Sequence, residues 1–227
     1  MGNESHQNKS KETVRLEAFS DGVFAIAATL LVLDIHVPDV KADQSLLQAI
    51  MSHWTNHIAF LIGFFTILIC WINHHYMFEY IQKSDSGLLL MNGFKLLVVT
   101  FTPFVTAVLS KYINTPQQPV AVSIYAFNFL LMGLAMFLIC RYASREKYVR
   151  GSRQEEKALV QLYAFAAVFS AIIFVVSFAT TFGALVLACI MFLIFLFPGR
   201  AFGFLMMRSG PEQAAHVRHQ EVLQEVE

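Results

Sequence analysis

Long apolar runs alternate with short polar breaks along this chain of 227 residues, a pattern typical of a multi-pass membrane protein. A helix that crosses a bilayer needs about 20 mainly apolar residues. The candidate spans are residues 18–35, 58–72, 88–109 and 120–140, and two more that share the charge-free stretch 158–199. A turn near Ala179-Thr180-Thr181 is expected to separate the last two, with Gly183 just beyond it. The pattern therefore predicts an all-α integral membrane bundle of six transmembrane helices.

The segments outside these spans are short. Residues 1–14 are expected to form an N-terminal tail, residues 15–200 the six-helix membrane domain, and residues 201–227 a C-terminal tail. Between the first two spans the chain is interrupted by Pro38, after which Leu46, Leu47 and Ile50 predict a short amphipathic helix. The tail beyond Pro211 is rich in Glu and Gln, and is either a short exposed helix or disordered.

The basic residues fix the expected orientation. With both termini inside, the cytoplasmic segments hold thirteen of the 16 lysines and arginines, the external side holds Lys41 and Lys111, and Lys95 lies within a span. The thirteen are Lys9, Lys11, Arg15, Lys83, Arg141, Arg145, Lys147, Arg150, Arg153, Lys157, Arg200, Arg208 and Arg218. Cytoplasmic loops carry an excess of Lys and Arg, so both termini are predicted to be cytoplasmic.

Composition agrees with this class and excludes several others. Of all residues 56% are hydrophobic and 14% charged, against about 25% charged in soluble domains. The formal net charge is zero, which gives no reason to expect a nucleic-acid partner. The three cysteines lack the paired spacing of a disulfide framework or a zinc motif. His53 and His57 have the i, i+4 spacing of metal ligands, but no glutamate lies between them and no third ligand is evident, so we expect no metal centre.

Several polar and charged groups, which are energetically unfavourable within a membrane, are predicted to lie at one depth near the cytoplasmic face. They are Arg15, Ser20 and Asp21 on the first span, Asn73, His74 and His75 at the end of the second, and Asn92 and Lys95 at the start of the third. Buried charges are tolerated when they are paired and hydrogen-bonded. One interpretation is therefore an interhelical network in which Asp21 accepts hydrogen bonds from Arg15, a histidine or Lys95. The alternative is that Arg15 and Lys95 extend separately to the headgroups and the histidines are merely interfacial.

A helical wheel separates two faces of the first span. At about 100° per residue, one narrow stripe contains apolar residues and one threonine. Its members are Gly22, Ile26, Thr29 and Leu33, with Leu30 at its edge. Ser20 and Asp21 point well away from it. Periodicity alone favours the simpler interpretation, that the stripe packs inside the bundle.

The sequence RLEAFSDGVFAIAATLLVLDI at residues 15–35 closely resembles the opening of the transmembrane protein 175 family of potassium channels, in its single-repeat prokaryotic branch. Trp71-x-Asn73-His74-His75 after the second span and Pro103-Phe104-x-Thr106 in the third support the resemblance. It implies a homotetramer in the plasma membrane of a prokaryote. In such a tetramer the four first helices line a central pore for potassium ions, and no carbonyl-lined filter loop is needed. No cofactor is implied.

The resemblance also assigns roles to residues. Ile26 would form the narrowest hydrophobic constriction, with Leu30 and Leu33 as further apolar rings toward the outside, and Thr29 would favour potassium over sodium, though only modestly. Such a ring closes a pore by dewetting and needs no charged plug. The polar residues would hold the pore helix in place without touching the ion: Arg15, Ser20 and Asp21, with a histidine of the pair His74 and His75, and Lys95 from the network interpretation.

Two other classes compete with a channel. Secondary transporters have broken helices and ligands at the bilayer midplane, and Pro103 beside Thr100, Thr102 and Thr106 is a candidate break. A membrane enzyme is the weaker alternative, because neither a nucleophile motif nor paired catalytic carboxylates appear. We therefore expect no catalytic residues.

Overall fold

The computed structural model describes residues 10–35, 37, 39 and 45–206. Pro38 and the predicted tail beyond Pro211 lie outside the described residues. The described chain is helical throughout, apart from its connections and one isolated β-bridge. Five of its helices are long and apolar enough to cross a membrane, and a bent pair of helices near the C-terminus makes a sixth crossing possible. The prediction of an all-α membrane bundle is confirmed.

The first helix ends differently from the prediction. Helix α1 spans Lys11–Leu30, and the Ser10 side chain caps it by accepting a hydrogen bond from the Thr13 amide at 3.2 Å. The chain then tightens into a 3-10 turn at Leu31–Asp34. A 3-10 turn has about 3.0 residues per turn instead of 3.6. Side chains beyond Leu30 are therefore rotated relative to a continuous α-helix.

The next four helices follow the predicted order. Helix α2, the predicted amphipathic segment, spans Leu46–Ser52 and begins with a capping box between Ser45 and Gln48. The three long helices after it are α3 (Trp54–Tyr80), α4 (Ser86–Tyr112) and α5 (Gln118–Arg145). Pro103 lies inside α4 without ending it. The break that a transporter would use is therefore absent from this part of the structure.

The last two predicted spans separate where expected, but the second is shorter. Helix α6 spans Arg153–Ala179 and α7 spans Thr181–Phe195. Thr180 caps α7 by accepting a hydrogen bond from the Gly183 amide. The chain then bends by 78° into α8, Pro198–Met206. The stretch predicted to hold the last two spans, residues 158–199, thus contains a bend that the sequence analysis did not predict, since Pro198 lacks an amide hydrogen and favours the first position of a new helix.

Helix α5 is at the centre of the bundle, and α1 lies at its edge. Helix α5 packs against α4 and α6 and also contacts α7, whereas the main contacts of α1 are with α3, α4 and its own 3-10 turn. Buried polar pairs connect α5 to its neighbours: Thr66 and Tyr125 share a 2.6 Å hydrogen bond, and Asn128 donates to Thr102. One face of α1 is thus free of contacts within the subunit.

The connections at the predicted cytoplasmic end join three parts of the chain through backbone hydrogen bonds. Gln82, after α3, donates its amide to Tyr148 O at 2.9 Å, and the Arg150 amide donates to Tyr80 O. Gln82 O accepts in turn from the Ser10 amide at 2.9 Å. The start of α1 is therefore fixed to the α3–α4 and α5–α6 connections.

A carboxylate stabilises the same end. Asp85 caps α4 by accepting from the Leu88 amide at 2.8 Å, and Tyr142 donates to its other oxygen at 2.6 Å. These two hydrogen bonds, that from Tyr142 first, hold the pKa of Asp85 below its ordinary value. The α3–α4 connection thus keeps a charged cap over the physiological pH range.

Candidate pore-lining helix

Helix α1 has one buried face and one exposed face. The buried side chains recur every three or four residues and pack against α3 and α4; they are Thr13, Leu16, Ser20, Phe24 and Ala27, continued by Leu31 in the 3-10 turn. On the opposite face Ile26 is 61% exposed, Leu30 44% and Leu33 69%, and Thr29 is also exposed. The stripe found by periodicity is therefore not part of the subunit core, contrary to the simpler interpretation of the sequence.

The 3-10 turn changes the alignment of the stripe. Residues three apart eclipse each other in a 3-10 helix, so Leu33 lies on the same side as Leu30 and out of line with Ile26 and Thr29. With a rise of about 2.0 Å per residue, Leu33 lies about 6 Å further along the axis than Leu30. The exposed face thus carries three successive apolar levels, Ile26, Leu30 and Leu33, with Thr29 between the first two.

The hydroxyl hydrogen of Thr29 is already used in a hydrogen bond within α1. Its Oγ1 donates to the Ile26 carbonyl oxygen at 2.9 Å. A hydroxyl has one hydrogen and two acceptor lone pairs, so this side chain presents only acceptor capacity to its surroundings. Such an oxygen is suited to contact a cation.

Ser20 attaches α1 to α4. It is fully buried, donates to the Leu16 carbonyl at 2.8 Å, and accepts from Asn92 Nδ2 at 2.9 Å. Asn92 is fully buried as well, and its Oδ1 has no hydrogen-bond partner among the described residues. The bond to Ser20 therefore provides the one side-chain partner that the structure gives the Asn92 amide.

Replacing Ser20 with alanine is expected to destabilise the protein by about 1–3 kcal/mol, because it leaves the buried Asn92 amide unsatisfied. Thermal unfolding in detergent measures the effect. Ser170→Ala is the matched control, since Ser170 is equally buried but bonds only to the Ala167 carbonyl of its own helix. Equal losses in the two variants would contradict a special role for the contact between α1 and α4.

Asp21 is held by a residue that the sequence analysis assigned no role. Its Oδ1 accepts a 2.8 Å hydrogen bond from Trp71 Nε1 on α3. Arg15, a predicted donor, is exposed and makes no hydrogen bond or ion pair with another described residue. Arg15 and Asp21 are six residues apart, which places them about 120° apart around the helix. Arg15 is thus outside the network, and Trp71 is inside it.

Lys95 and His74 form a separate buried pair beside Phe24. Lys95 Nζ lies 2.5 Å from His74 Nδ1, and neither residue is more than 1% exposed. The ammonium is 5.0 Å from the centre of the Phe24 ring and 5.9 Å from that of Phe78, so aromatic faces surround it. Lys95 therefore lies inside the bundle, and this pair packs against α1 through Phe24.

The remaining motif residues face elsewhere. His75 is exposed, stacks on Trp71 with ring centres 5.8 Å apart, and approaches Glu79 at 3.7 Å. It lies outside the predicted network because neighbouring helical residues point about 100° apart. Asn73 donates to the Phe195 carbonyl at 2.7 Å, and Tyr163 donates to the Asn73 carbonyl. Asn73 therefore connects α3 to the end of α7.

These features define a class: a multi-pass membrane protein whose N-terminal helix is held by buried polar contacts on one face and left open on the other. Comparison with known proteins identifies the family. Residues 15–103 match the family described as the endosomal/lysosomal potassium channel TMEM175. A potassium channel of Chamaesiphon minutus is 39% identical over 175 residues, which are 75% of this chain and 86% of the relative. A potassium channel of Streptomyces collinus is 36% identical over 65% of this chain and 72% of its own.

A solved structure agrees over nearly its whole length. The crystal structure of a lysosomal potassium-selective channel TMEM175 homologue from Chamaesiphon minutus matches with a TM-score of 0.73 and 36% identity, covering 85% of this chain and 99% of that one. This chain belongs to the TMEM175 family of ion channels.

Proposed function

We propose that this protein is a potassium channel that assembles as a homotetramer, with four copies of α1 around a central pore. The observation that carries the proposal is the division of α1 into two faces. Ser20 lies on the buried side and Asp21 is held by Trp71, whereas Ile26, Thr29, Leu30 and Leu33 are exposed on a helix that its own subunit covers on one side only. The potassium channels of Chamaesiphon and Streptomyces among its relatives support the choice of ion.

The proposed gate is apolar. Four copies of Ile26 around the axis would form a ring narrow enough to lose its water, which blocks ions without a charged plug. Leu30 and Leu33, aligned on one side by the 3-10 turn but about 6 Å apart along the axis, would add two further apolar rings toward the outside. Opening requires the four helices to move apart or rotate until water fills the bore.

Thr29 would contribute the preference for potassium. Because its hydrogen is donated to the Ile26 carbonyl, the lone pairs of its oxygen can coordinate a cation that has lost some of its water. Potassium holds its hydration water less strongly than sodium and so loses less on passing the apolar rings. Selectivity of this origin is modest. The polar contacts of Ser20, Asp21, Lys95 and His74 would serve to hold α1, away from the ion.

The unbroken course of α4 disfavours the transporter alternative. Coupled transporters typically bind their ions and substrates at discontinuous helices near the midplane, whereas α4 continues through Pro103 without a break. We further propose that the channel resides in the plasma membrane of a prokaryote and that residues 1–14 and 201–227 flank its membrane domain on the cytoplasmic side.

Flux from proteoliposomes loaded with potassium or sodium tests the proposal. The native chain is expected to pass potassium faster than sodium, without saturation at low concentration and without coupling to protons. Proton-coupled, saturable uptake would contradict the channel and favour a transporter.

Thr29→Val is expected to lower the ratio of potassium to sodium flux by about threefold, the factor for losing an interaction of about 0.6 kcal/mol. The matched control is Thr100→Val, since Thr100 is also exposed and also donates to a carbonyl three residues back, that of Leu97. Thr100 lies on α4, outside the proposed pore. An unchanged ratio in Thr29→Val, or an equal fall in both variants, would contradict the role of Thr29.

A further inference from the structure

The bend between α7 and α8 positions a short helix at the predicted cytoplasmic face. Phe202 of α8 packs against the rings of Tyr76 and Tyr80, with centres 6.0 and 5.6 Å away. The Met206 carbonyl accepts a 3.4 Å hydrogen bond from Gln154 Nε2. Tyr80 is the last residue of α3 and Gln154 the second of α6. Helix α8 therefore lies at the level where α3 ends and α6 begins.

The dimensions of α8 agree with a position along the membrane surface. Nine residues extend about 13 Å at 1.5 Å per residue, too short to continue the crossing that α7 makes. The 78° bend turns α8 nearly perpendicular to α7. Short helices of this kind lie in the interface plane when one side is apolar and basic residues accompany it.

The two sides of this corner differ. Phe202 is buried against α3, whereas Phe197 is 52% exposed and Phe204 63% exposed. The exposed Arg200 guanidinium carbon lies 5.0 Å from the centre of the Phe197 ring. An arginine held over an aromatic ring at a membrane face directs its donors toward the headgroup level while the ring remains among the acyl chains.

Cations and carboxylates around the corner differ in how the protein engages them. Arg153 and Lys157, at the start of α6, are exposed. The neighbouring carboxylates are engaged with the protein: Glu155 accepts from the Ser152 amide at 2.7 Å, and Glu156 accepts from the Ser144 hydroxyl. Glu79, on the adjacent turn of α3, approaches His75. The side chains of Arg153, Lys157 and Arg200, in contrast, make no hydrogen bond or ion pair with another described residue, so these cations can bind an anionic group.

We propose that the corner of α7 and α8 binds anionic phospholipids of the inner leaflet. Phe197 and Phe204 insert among the acyl chains, and Arg200 contacts the phosphate with support from Arg153 and Lys157. Phosphate and guanidinium form paired, charge-assisted hydrogen bonds, and the negative surface potential of the inner leaflet attracts basic residues beside a span. This binding does not depend on which ion the protein conducts.

Native mass spectrometry of the full chain, purified with equal amounts of phosphatidylcholine and phosphatidylglycerol, tests the proposal. The native chain is expected to retain more phosphatidylglycerol than phosphatidylcholine. Arg200→Gln should retain it about fivefold less, the factor that corresponds to about 1 kcal/mol per basic residue at an anionic surface. Arg200→Lys keeps the charge and should retain most of the preference.

Lys83→Gln is the matched control, because Lys83 is an exposed cation on the same predicted side but lies in the α3–α4 connection. It should retain the lipid like the native chain. Phe204→Ser should retain less of both lipids. Equal retention in Arg200→Gln and the native chain would overturn the proposal, as would an equal loss in Lys83→Gln, which would indicate attraction by net charge alone. Should Arg200→Gln fail to purify, loss of the preference in Arg153→Gln supports the site, and its persistence there overturns it.

Discussion

Replacing Ile26 with asparagine is expected to raise the resting potassium flux by at least about tenfold. The apolar ring proposed at Ile26 blocks ions because water does not remain in it, and an amide at each of four positions keeps water in the bore. Lowering the barrier by about 1.4 kcal/mol suffices for a tenfold change in rate. Potassium efflux from proteoliposomes, compared at equal protein content, measures the effect.

Ile190→Asn supplies an identical substitution outside the proposed pore. Ile190 is 42% exposed and lies on α7, which is not among the main contacts of α1. Its flux should match that of the native chain. Unchanged flux in Ile26→Asn would contradict the assignment of the gate to Ile26. A rise in flux in both variants would indicate a leak through a damaged bundle.

Replacing Gly63 with valine is expected to destabilise the protein by about 1–3 kcal/mol, the range for overpacking a filled core. A Cβ at Gly63 would stand 2.8 Å from Leu31 Cδ2 and 2.9 Å from Thr106 Oγ1. Leu31 is 1% exposed and Thr106 2%, so neither has free space to enter. The 3-10 turn after α1 rests on α3 at this glycine, and the larger side chain would push it away.

Thermal unfolding of Gly63→Val beside Gly93→Val measures this effect of packing. Gly93 is also inside a long helix, but nothing lies within 4 Å of the position that its Cβ would take. The two substitutions make the same change in helix propensity, so the difference between them reports the crowding. Adding Leu31→Ala to Gly63→Val should restore part of the stability; no recovery would show that Leu31 is not the obstacle.

The sequence predicted those features that depend on local pattern. Periodicity separated the two faces of α1 because its buried residues recur every three or four positions along a regular helix. The predicted separation of the last two spans was correct because Thr180 is a good N-cap and Gly183 follows it. Expected depth in the membrane placed Ser20 and Asn92 in one polar cluster, although the hydrogen bond between them was not predicted.

The features that the sequence did not predict depend on how neighbouring helices are rotated. Trp71 reaches Asp21 because α3 turns that side chain toward α1, whereas tryptophan near a membrane face is usually only interfacial. The 3-10 turn has no local signal either, because the same residues suit an α-helix. The end of α7 did have a signal, Pro198, which the uniformly apolar composition around it concealed.

The uneven attachment of α1 has a mechanical consequence. Every hydrogen bond that ties it to another helix or connection belongs to its first half, from Ser10 to Asp21, and beyond Phe24 only apolar packing restrains it within the described subunit. A helix that is attached along only its first half can tilt about that half. For a tilt of about 10°, Leu33 swings sideways by about 3 Å and Ile26 by about 1 Å, given the helical rise beyond Asp21. In the proposed tetramer the outer mouth therefore flares first, and the isoleucine ring is the last part of the bore to widen.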